Sequence, residues 1–241
     1  MAVWFLGVVF GVAVLGGATA SLVGFGIGSM LTPLLALSLG TDIAVAAVAL
    51  PHAAATALRC WRLRQEIDWS VLKRFGVLSA AGGLAGAFAY ASLDALILTR
   101  VLGGLLVLTA IAQLAGLATR WHPRGAAVGA LGLASGFFGG IAGNQGGLRA
   151  AALMAFRLSP PAFVATSTAT GLMVDAARTP VYLATAGGAL LALWIPIAVM
   201  TVGVLAGTLL GERILLGMPK DRFARIVAIA IGVLGVWLLV K

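Results

Sequence analysis

The sequence predicts an all-α polytopic membrane protein built from two inverted five-segment repeats, each with a hairpin that contains a short half-helix. Three observations lead to this prediction. Long stretches of the chain carry no charge, glycine-rich breaks recur at matching places in the two halves, and the basic loops change places between the halves. The three observations are independent, because they concern composition, backbone conformation and topology respectively.

Charged residues are scarce and unevenly distributed. Only 10% of the 241 residues are charged, whereas a soluble domain carries about a quarter. No charge precedes Asp42, and four further stretches are also uncharged: 75–93, 101–119, 125–148 and 179–211. A helix needs roughly 20 apolar residues to cross the hydrocarbon core of a bilayer. The composition therefore excludes a soluble globular domain and makes the lipid bilayer the first partner.

The net charge of +9 does not indicate nucleic-acid binding, since the basic residues flank apolar segments and form no continuous stripe. Cys60 is the only cysteine, so no intramolecular disulfide can form. The motifs of zinc proteases, serine hydrolases and phosphate-binding loops are absent from the sequence. We therefore predict a protein that is not an enzyme, with no catalytic residue, no metal site, no cofactor and no direct use of ATP.

Ten apolar segments can be drawn along the chain. The first ends in Ala18–Ala20, which mimics a signal-peptide cleavage site, but no basic residue precedes it, so it is predicted to be a retained helix. The segments are 2–22, 26–39, 42–60, 70–91, 95–119, 125–142, 146–157, 160–182, 188–211 and 221–240. The second and seventh are too short to cross a bilayer comfortably, and each follows a glycine-rich break.

The two short segments indicate an internal repeat. A shift of 119 residues gives nine identities in 36 aligned positions, which include two glycines of each break and one arginine: Gly24 with Gly143, Gly28 with Gly147 and Arg59 with Arg178. The matched positions of break, short segment and arginine are more informative than the identities alone. The repeats are predicted to cover 1–119 and 125–241, joined by a cytoplasmic connector at 120–124.

The loop charges predict the topology. Lysine and arginine gather near 59–74, 120–124 and 212–225 and are sparse in the other loops. By the positive-inside rule these three loops are cytoplasmic. Five segments per repeat, an odd number, invert the second half and place both termini outside the cytoplasm. The predicted location is the cell membrane, plasma or inner, which the chain crosses several times.

The glycine breaks are the first candidate site for a small anion. A helix that begins inside the membrane points free N–H groups and a partial positive charge inwards, which suits an anion. The alternative is that the glycines only allow close helix packing. The candidate ligands are Gly24, Gly26 and Gly28 in the first break and Gly143, Asn144, Gln145, Gly146 and Gly147 in the second. The two amide side chains need polar partners, which an anion or a neighbouring helix can supply.

Arg149 is the sharpest single candidate for an anion ligand. It follows the second break by one helical turn in an otherwise uncharged stretch. Charges inside a membrane are costly and usually functional, and a guanidinium can bind two oxygens of an anion at once. The alternatives are snorkelling or an ion pair with Asp175. Thr166 and Thr170 share a helical face and can donate hydroxyls to the anion, unless they only bond their own backbone.

Four residues are candidates for coupling or gating. Asp175 and Arg178 are three positions apart, so they can meet on one helical face, either as a structural ion pair or as a proton or gating switch. Arg59 is the repeat counterpart of Arg178. His52 can shuttle protons near neutral pH, although a lone histidine in an apolar helix is more often only hydrogen-bonded.

Several motifs resemble the TauE/SafE family of sulfite and sulfonate transporters. The first half reads Gly-Phe-Gly-Ile-Gly-Ser-Met-Leu-Thr-Pro-Leu-Leu from Gly24 and continues to Glu66-Ile-Asp-Trp. The second half carries Asn-Gln-Gly-Gly-Leu-Arg after Gly143 and Ala-Thr-Ser from Ala165. The resemblance covers nearly the whole chain. The second motif departs from the plainer glycine run before proline that many members have, which indicates a subgroup.

The resemblance implies a secondary transporter for a small anion, a sulfur oxyanion such as sulfite or an organosulfonate. The anion would lie near the membrane midplane between the two helix N-termini, and alternating access would carry it across. Coupling to protons or another ion and assembly into an oligomer are left open. Two other functions also stay open: an anion channel that uses the same breaks, and a membrane-embedded enzyme or redox subunit.

Overall fold

The structure is a computed structural model that describes residues 3–24, 26–116, 125–144, 146–214 and 220–240. Within these ranges the secondary structure consists of ten helices with short 3₁₀ and π segments, and it contains no strand. The predicted all-α class is therefore confirmed. The predicted connector at 120–124 and the candidate ligand Gln145 lie outside the described residues.

The ten helices follow the predicted segments closely, with one large exception in the second half. The first half holds α1 (Val3–Val23), α2 (Ile27–Leu39), α3 (Thr41–Arg62), α4 (Trp69–Ser92) and α5 (Ala95–Leu114). The second half holds α6 (Ala126–Ala142), α7 (Gly146–Leu153), α8 (Pro160–Ala192), α9 (Trp194–Ile214) and α10 (Lys220–Val240). Helix α4 includes a π-helical segment at Leu72–Gly76, and a 3₁₀ turn over Met154–Phe156 continues α7.

Polar side chains cap three helices at their N-termini. The carboxylates of Asp68 and Asp94 accept the backbone N–H groups of residues 71 and 97, at 2.9 Å in both cases. At the start of α8 the Ser159 hydroxyl accepts the backbone N–H of residue 162. Pro160 occupies the first helical position, where no N–H donor is needed. These caps fix the starts of α4, α5 and α8 directly after short loops.

Five of the described helices are long and apolar enough to cross a membrane: Val3–Leu22, Thr41–Arg62, Trp69–Ser92, Ala95–Leu114 and Trp194–Gly211. Large apolar side chains such as Trp4, Leu108 and Val202 are exposed on the outside of the molecule, as in proteins that contact lipid. The chain is a multi-pass membrane protein, as predicted. Helices α2 and α7, with 13 and 8 residues, are shorter than a full crossing requires.

Helix α8 corrects the predicted segment boundaries. The sequence predicts separate segments at 160–182 and 188–211, but α8 continues without a break to Ala192. The glycines at 187–188 lie inside the helix. A glycine inside a helix costs only about 1 kcal/mol relative to alanine, so this pair alone does not end a helix of 33 residues.

The position of Arg59 is a second correction. The charge pattern assigns it to a cytoplasmic loop, but α3 continues to Arg62 and Arg59 is buried within it, with 4% of its surface exposed. The physical reason is a local partner, since Arg59 turns inwards and donates from Nη2 to the Thr56 hydroxyl at 3.3 Å. A count of basic residues cannot separate such an arginine from its solvated neighbours.

The long helices pack in pairs that exchange between the two halves. Helix α1 packs along α9, and α6, the counterpart of α1, packs along α4, the counterpart of α9. In the same way α3 contacts α9 and α8 contacts α4. Helix α3 also packs against its counterpart α8, and α5 against its counterpart α10. Each of these helices therefore packs extensively against a helix of the other half.

Glycines make two of these pairs very close. A Cβ atom on Gly17 of α1 would lie 2.3 Å from the Val204 carbonyl oxygen of α9, and one on Gly136 of α6 would lie 1.8 Å from the Ser79 carbonyl oxygen of α4. Only glycine allows helices to approach so closely. A second equivalent set joins the same helices: Gly207 with Val14, and Gly82 with Leu133. We call these contacts of Gly17, Gly207, Gly82 and Gly136 the glycine seams.

The seam contacts are equivalent residue by residue. Counterparts in α1 and α6 differ by 119 positions, whereas counterparts in α4 and α9 differ by 125. Helices α5 and α10 cross where Gly103 and Gly235 face each other's carbonyl oxygens, the reciprocal contact that two equivalent units make at their axis. This pattern agrees with the predicted repeat, and the inversion of the repeat relative to the membrane stays a prediction.

Candidate functional site

The two glycine breaks are buried and lie against each other. A Cβ atom on Gly28 would lie 2.3 Å from the carbonyl oxygen of Gly143, so the first turn of α2 touches the second break directly. The Ser29 hydroxyl donates to Oδ1 of Asn144 at 3.0 Å across the same contact. The structure therefore brings together three of the predicted ligands, Gly28, Gly143 and Asn144.

Backbone conformation requires glycine at three positions in the breaks. Gly24, Gly26 and Gly143 have φ angles of 82°, 138° and 67°, in the region that side chains of L-residues rarely adopt. A Cβ atom on Gly24 would lie 3.3 Å from the Ser167 hydroxyl of α8, whereas one on Gly26 would lie 3.0 Å from Thr19 of α1. The first break thus contacts α8 through Gly24, and Gly26 faces away towards α1.

Arg149 is buried beside the first break, with 2% of its surface exposed. Its Nε donates to the Ser167 hydroxyl at 3.0 Å, and its Nη2 donates to the Gly24 carbonyl at 3.4 Å. Its Nη1 has no hydrogen-bond partner among the described residues, where Arg149 also forms no ion pair with Asp175. Neither snorkelling nor an ion pair therefore accounts for this arginine.

Asp175 joins two of the candidates for coupling. Arg178 Nη2 lies 2.8 Å from Asp175 Oδ1, as the spacing of three residues predicts. His52 Nδ1 lies 2.6 Å from the other carboxylate oxygen, across the interface of α3 and α8. All three side chains are buried. Arg178 Nη1 also donates to the Gly139 carbonyl near the end of α6, which connects this cluster to the second break.

Arg59 is buried in α3, the helix that also carries His52 of this cluster. Its only hydrogen-bond partner within the described ranges is the Thr56 hydroxyl, and its Nε and Nη1 have none. Arg59 has no carboxylate within ion-pair distance in that part of the chain. It therefore keeps an uncompensated positive charge.

Further polar groups near the breaks and on α8 lack a partner in the part of the chain that the structure describes: Oγ1 of Thr32, Thr168 and Thr170, and Nδ2 of Asn144. Thr166 differs from them, because its hydroxyl accepts the backbone N–H of Asp68 at 3.0 Å. Buried polar groups are almost always hydrogen-bonded. The cluster therefore requires partners that the described residues do not supply.

The charges of this region do not balance. Apart from two tyrosines, which are neutral near pH 7, five ionisable side chains are buried among the described residues: His52, Arg59, Arg149, Asp175 and Arg178. With a neutral histidine, three arginines and one aspartate leave an excess of two positive charges. Uncompensated buried charge is costly. No group of three His, Cys, Asp or Glu residues that could hold a metal ion occurs in the described ranges. The arrangement suits an anion.

Nearly the whole chain is similar to one family of membrane proteins. The sequence model of the sulfite exporter TauE/SafE family matches residues 9–238. The chain belongs to the TauE/SafE family. The resemblance seen in the sequence motifs is thereby confirmed, and membership implies a membrane transporter of sulfite or related sulfur anions. No curated protein and no solved structure matches the chain.

Some predicted ligands of this TauE/SafE protein lie apart from the contact between the breaks. Gly147 packs against α5, where a Cβ atom on it would lie 3.1 Å from Thr109. Thr166 faces the loop before α4 through its bond with Asp68. Gly146 is buried at the first residue of α7.

Three hydroxyl residues hold the charged and amide side chains of this TauE/SafE site, and sequence reasoning selected none of them as a ligand. They are Ser29, Ser167 and Thr56. A signal for each is present in the sequence. Ser29 directly follows the first break, Ser167 belongs to the Ala-Thr-Ser motif, and Thr56 aligns with Asp175 in the shift of 119 residues.

Proposed function

We propose that the protein is a secondary transporter that moves a sulfur oxyanion or a small organosulfonate across the cell membrane by alternating access, with the anion bound where the two glycine breaks meet. One observation carries the proposal. Among the described residues the buried charges leave an excess of two positive charges, and Arg59, Arg149 and Asn144 carry donors without a partner.

An anion at the contact would supply the hydrogen-bond acceptors that the described residues lack. Arg149 Nη1 and Asn144 Nδ2 need acceptors, and the oxygens of a sulfur oxyanion accept hydrogen bonds from several directions. Hydrogen bonds between a guanidinium and an oxyanion are among the strongest in proteins. The N-termini of α2 and α7 add backbone N–H groups and partial positive charge. A neutral or cationic substrate would leave the arginines uncompensated.

The packing of the helices supports alternating access. The glycine seams and the contact of Gly103 with Gly235 give the two halves equivalent contacts. Two equivalent halves can exchange conformations, which opens a central site first to one side of the membrane and then to the other. Burial of Arg149 and Asp175 favours a carrier over an open channel, since a channel site stays in contact with water.

Proton coupling through His52 and Asp175 is part of the proposal. A histidine that shares a hydrogen bond with a buried carboxylate can exchange a proton with it, and uptake of a proton by this pair would add a positive charge beside the anion. Arg178 holds Asp175 and also donates to the Gly139 carbonyl. A change of charge in this cluster therefore acts directly on the helix that ends at the second break.

The proposed topology has a direct test. Single cysteines introduced within 62–68 and within 217–222, in a Cys60→Ala background, are expected to resist a membrane-impermeant thiol reagent in intact cells. Both should react after the membrane is opened with detergent. Labelling of either position from outside would contradict the inverted repeat and the cytoplasmic placement of these loops.

The proposed function is tested by uptake into vesicles that contain the purified protein. The anions are sulfite, thiosulfate, sulfate, taurine, sulfoacetate and chloride. A carrier should give saturable uptake of at least one sulfur anion and counterflow against unlabelled substrate. Arg149→Gln should abolish uptake, whereas Arg157→Gln, the same change on an exposed arginine of the same hairpin, should not. Uptake that never saturates would indicate a channel, and no uptake of any sulfur anion would refute the proposal.

A further inference from the structure

Arg59 occupies the position in α3 that Arg178 occupies in α8, but its surroundings differ. Three residues before Arg178 stands Asp175, which accepts hydrogen bonds from Nε and lies 2.8 Å from Nη2. Three residues before Arg59 stands Thr56, whose hydroxyl accepts only one hydrogen bond from Nη2, at 3.3 Å. The first half therefore lacks the carboxylate that neutralises the arginine of the second half.

The burial of Arg59 is not forced by its place in the helix. It lies one turn from the end of α3, where Arg62 is exposed. Nearby Arg64 is also exposed and donates to the Trp61 carbonyl at 2.7 Å. A long arginine side chain so near a helix end can normally reach water. Arg59 instead points inwards, and its Nε and Nη1 have no partner among the described residues, so its charge is held inside the protein.

Arg59 and Arg149 are two buried cations on helices that both contact α8: α3, which carries Arg59, packs along α8, and Ser167 of α8 accepts a hydrogen bond from Arg149 of α7. Two neighbouring guanidinium groups without a carboxylate repel, and low surrounding polarity strengthens that repulsion. A singly charged anion between them compensates one charge and leaves the other. An anion with two charges compensates both, and its additional oxygen can accept from the free Nε and Nη1 of Arg59.

We infer that Arg59 is a second anion ligand, and that it makes the site select doubly charged sulfur oxyanions over singly charged sulfonates of the same size. This inference rests on the proposed function, because it concerns the anion bound between the breaks. Arg149 binds the anion beside Gly24 and Ser167, and Arg59 compensates the second negative charge of the anion. Thr56 is the residue that leaves Arg59 free to do so.

The experiment measures the binding of two probes to the detergent-purified, full-length protein by calorimetry. Sulfate is doubly charged, and methanesulfonate has nearly the same size with one charge, because a methyl group replaces one oxygen. The wild-type protein should bind sulfate more tightly. In Arg59→Gln the affinity for sulfate should fall by about 10- to 150-fold, the range expected for the loss of a charge-assisted hydrogen bond, and the affinity for methanesulfonate should change far less.

Two further variants complete the design. Arg62→Gln makes the same substitution on an exposed arginine of the same helix and should leave both affinities unchanged. Arg59→Lys keeps the charge but loses the planar fork, so it should keep the preference for sulfate at reduced affinity. If Arg59→Gln fails to fold, the wild-type preference and its retention in Arg59→Lys carry the test.

The outcomes separate this inference from the proposed function. Equal loss of both affinities in Arg59→Gln would show that Arg59 shapes the site without reading charge, and would overturn the inference. Equal affinity of the wild-type protein for the two probes would also overturn it, while the proposed function would stand. If the wild-type protein binds neither probe and transports no sulfur anion, the proposed function itself fails.

Discussion

The two halves of the molecule place an arginine at equivalent positions of α3 and α8 and use it differently. Arg178 is neutralised by Asp175, and the pair is tied to α6. Arg59 has only a threonine hydroxyl as a partner and keeps its charge. A repeated scaffold can therefore use one copy of a residue for structure while the other copy stays available for a ligand.

The contrast extends beyond these two arginines. The glycines of the seams recur in both halves, so the close packing of the helices is symmetric. Apart from the arginines of α3 and α8, the polar residues of the site do not recur, since Met30 stands in the first half where Arg149 stands in the second, and Thr56 where Asp175 stands. Packing constrains both halves equally, whereas an anion site at their contact needs each ligand only once.

The largest effect, on thermal stability, is expected when Arg178 loses its carboxylate partner and so resembles Arg59. Asp175→Asn removes the only buried carboxylate near three buried arginines in the described structure. Loss of one partner of a buried ion pair typically costs about 3–5 kcal/mol, so thermal unfolding of the detergent-purified protein should occur at a much lower temperature. Thr56→Ala, the counterpart change in α3, should cost about 1 kcal/mol. Equal melting temperatures for the two variants would contradict the comparison.

A smaller effect is expected from Arg149, whose counterpart Met30 is neutral. Arg149→Ala should fold, because its partners are only a hydroxyl and a carbonyl. It should lose about 1.5–3 kcal/mol of anion binding, roughly 10- to 150-fold in affinity, and Arg149→Lys should recover only part of this. Calorimetry with sulfite, beside a melting curve, measures both. A well-folded Arg149→Ala with unchanged affinity would remove Arg149 from the site and leave the backbone amides as ligands.

The symmetric side of the comparison can be tested at the seams. Gly17→Ala and Gly136→Ala each place a methyl group against a carbonyl oxygen of the neighbouring helix. Overpacking of this kind typically costs about 1–3 kcal/mol, and the two variants should lose similar amounts of stability in a melting experiment. Gly7→Ala in α1 is the control, because no atom lies within 4 Å of the added methyl group. A large effect at one seam alone would argue against equivalent halves.

The difference between the arginines of the two halves can also be removed by giving Arg59 a carboxylate partner. Thr56→Asp gives Arg59 a carboxylate three residues before it, as Arg178 has. The affinity for sulfate should then fall about tenfold or more and approach that for methanesulfonate. Thr56→Asn, which is similar in size but uncharged, should keep the preference for sulfate. Binding of the two probes by calorimetry checks this, and an undiminished preference in Thr56→Asp would count against charge reading by Arg59.

The smallest effect is expected for His52, which contacts Asp175 from the other half. His52→Gln keeps a hydrogen-bonding side chain but cannot take up a proton near neutral pH. Anion binding should be unchanged, while uptake into vesicles should no longer respond to an imposed pH gradient. If both His52→Gln and Asp175→Asn retain gradient-driven uptake, these residues have a structural role and the proton enters elsewhere.

Local patterns in the sequence predicted much of the fold and part of the site. Uncharged stretches, the two short helices and the contact of Asp175 with Arg178 depend on neighbours within one or two helical turns. The boundary of α8 was wrong because a glycine pair only weakly opposes a helix. The count of basic residues assigned Arg59 to a loop. Such a count does not detect that the Arg59 side chain turns inwards and bonds a single hydroxyl.

The contacts between distant segments were not predictable. A single shift of 119 residues aligns α1 to α3 with α6 to α8, but the offset becomes 125 in α4 and α9, so the matching glycines at 82 and 207 stayed hidden. The contacts of Gly28 with Gly143 and of Ser29 with Asn144 depend on how two hairpins meet. That geometry follows from the packing of all the helices and from no local pattern.

The exchanged packing has a consequence for how the chain is made. The Ser21 hydroxyl of α1 donates to the Thr208 carbonyl of α9, and these residues are 187 positions apart. At about 5–20 residues per second, a ribosome needs roughly 10–40 s to synthesise that interval. During this time Gly17 and Ser21 of α1 lack their partners on α9. A nascent chain that stops before α9 therefore leaves this part of α1 without its native contacts.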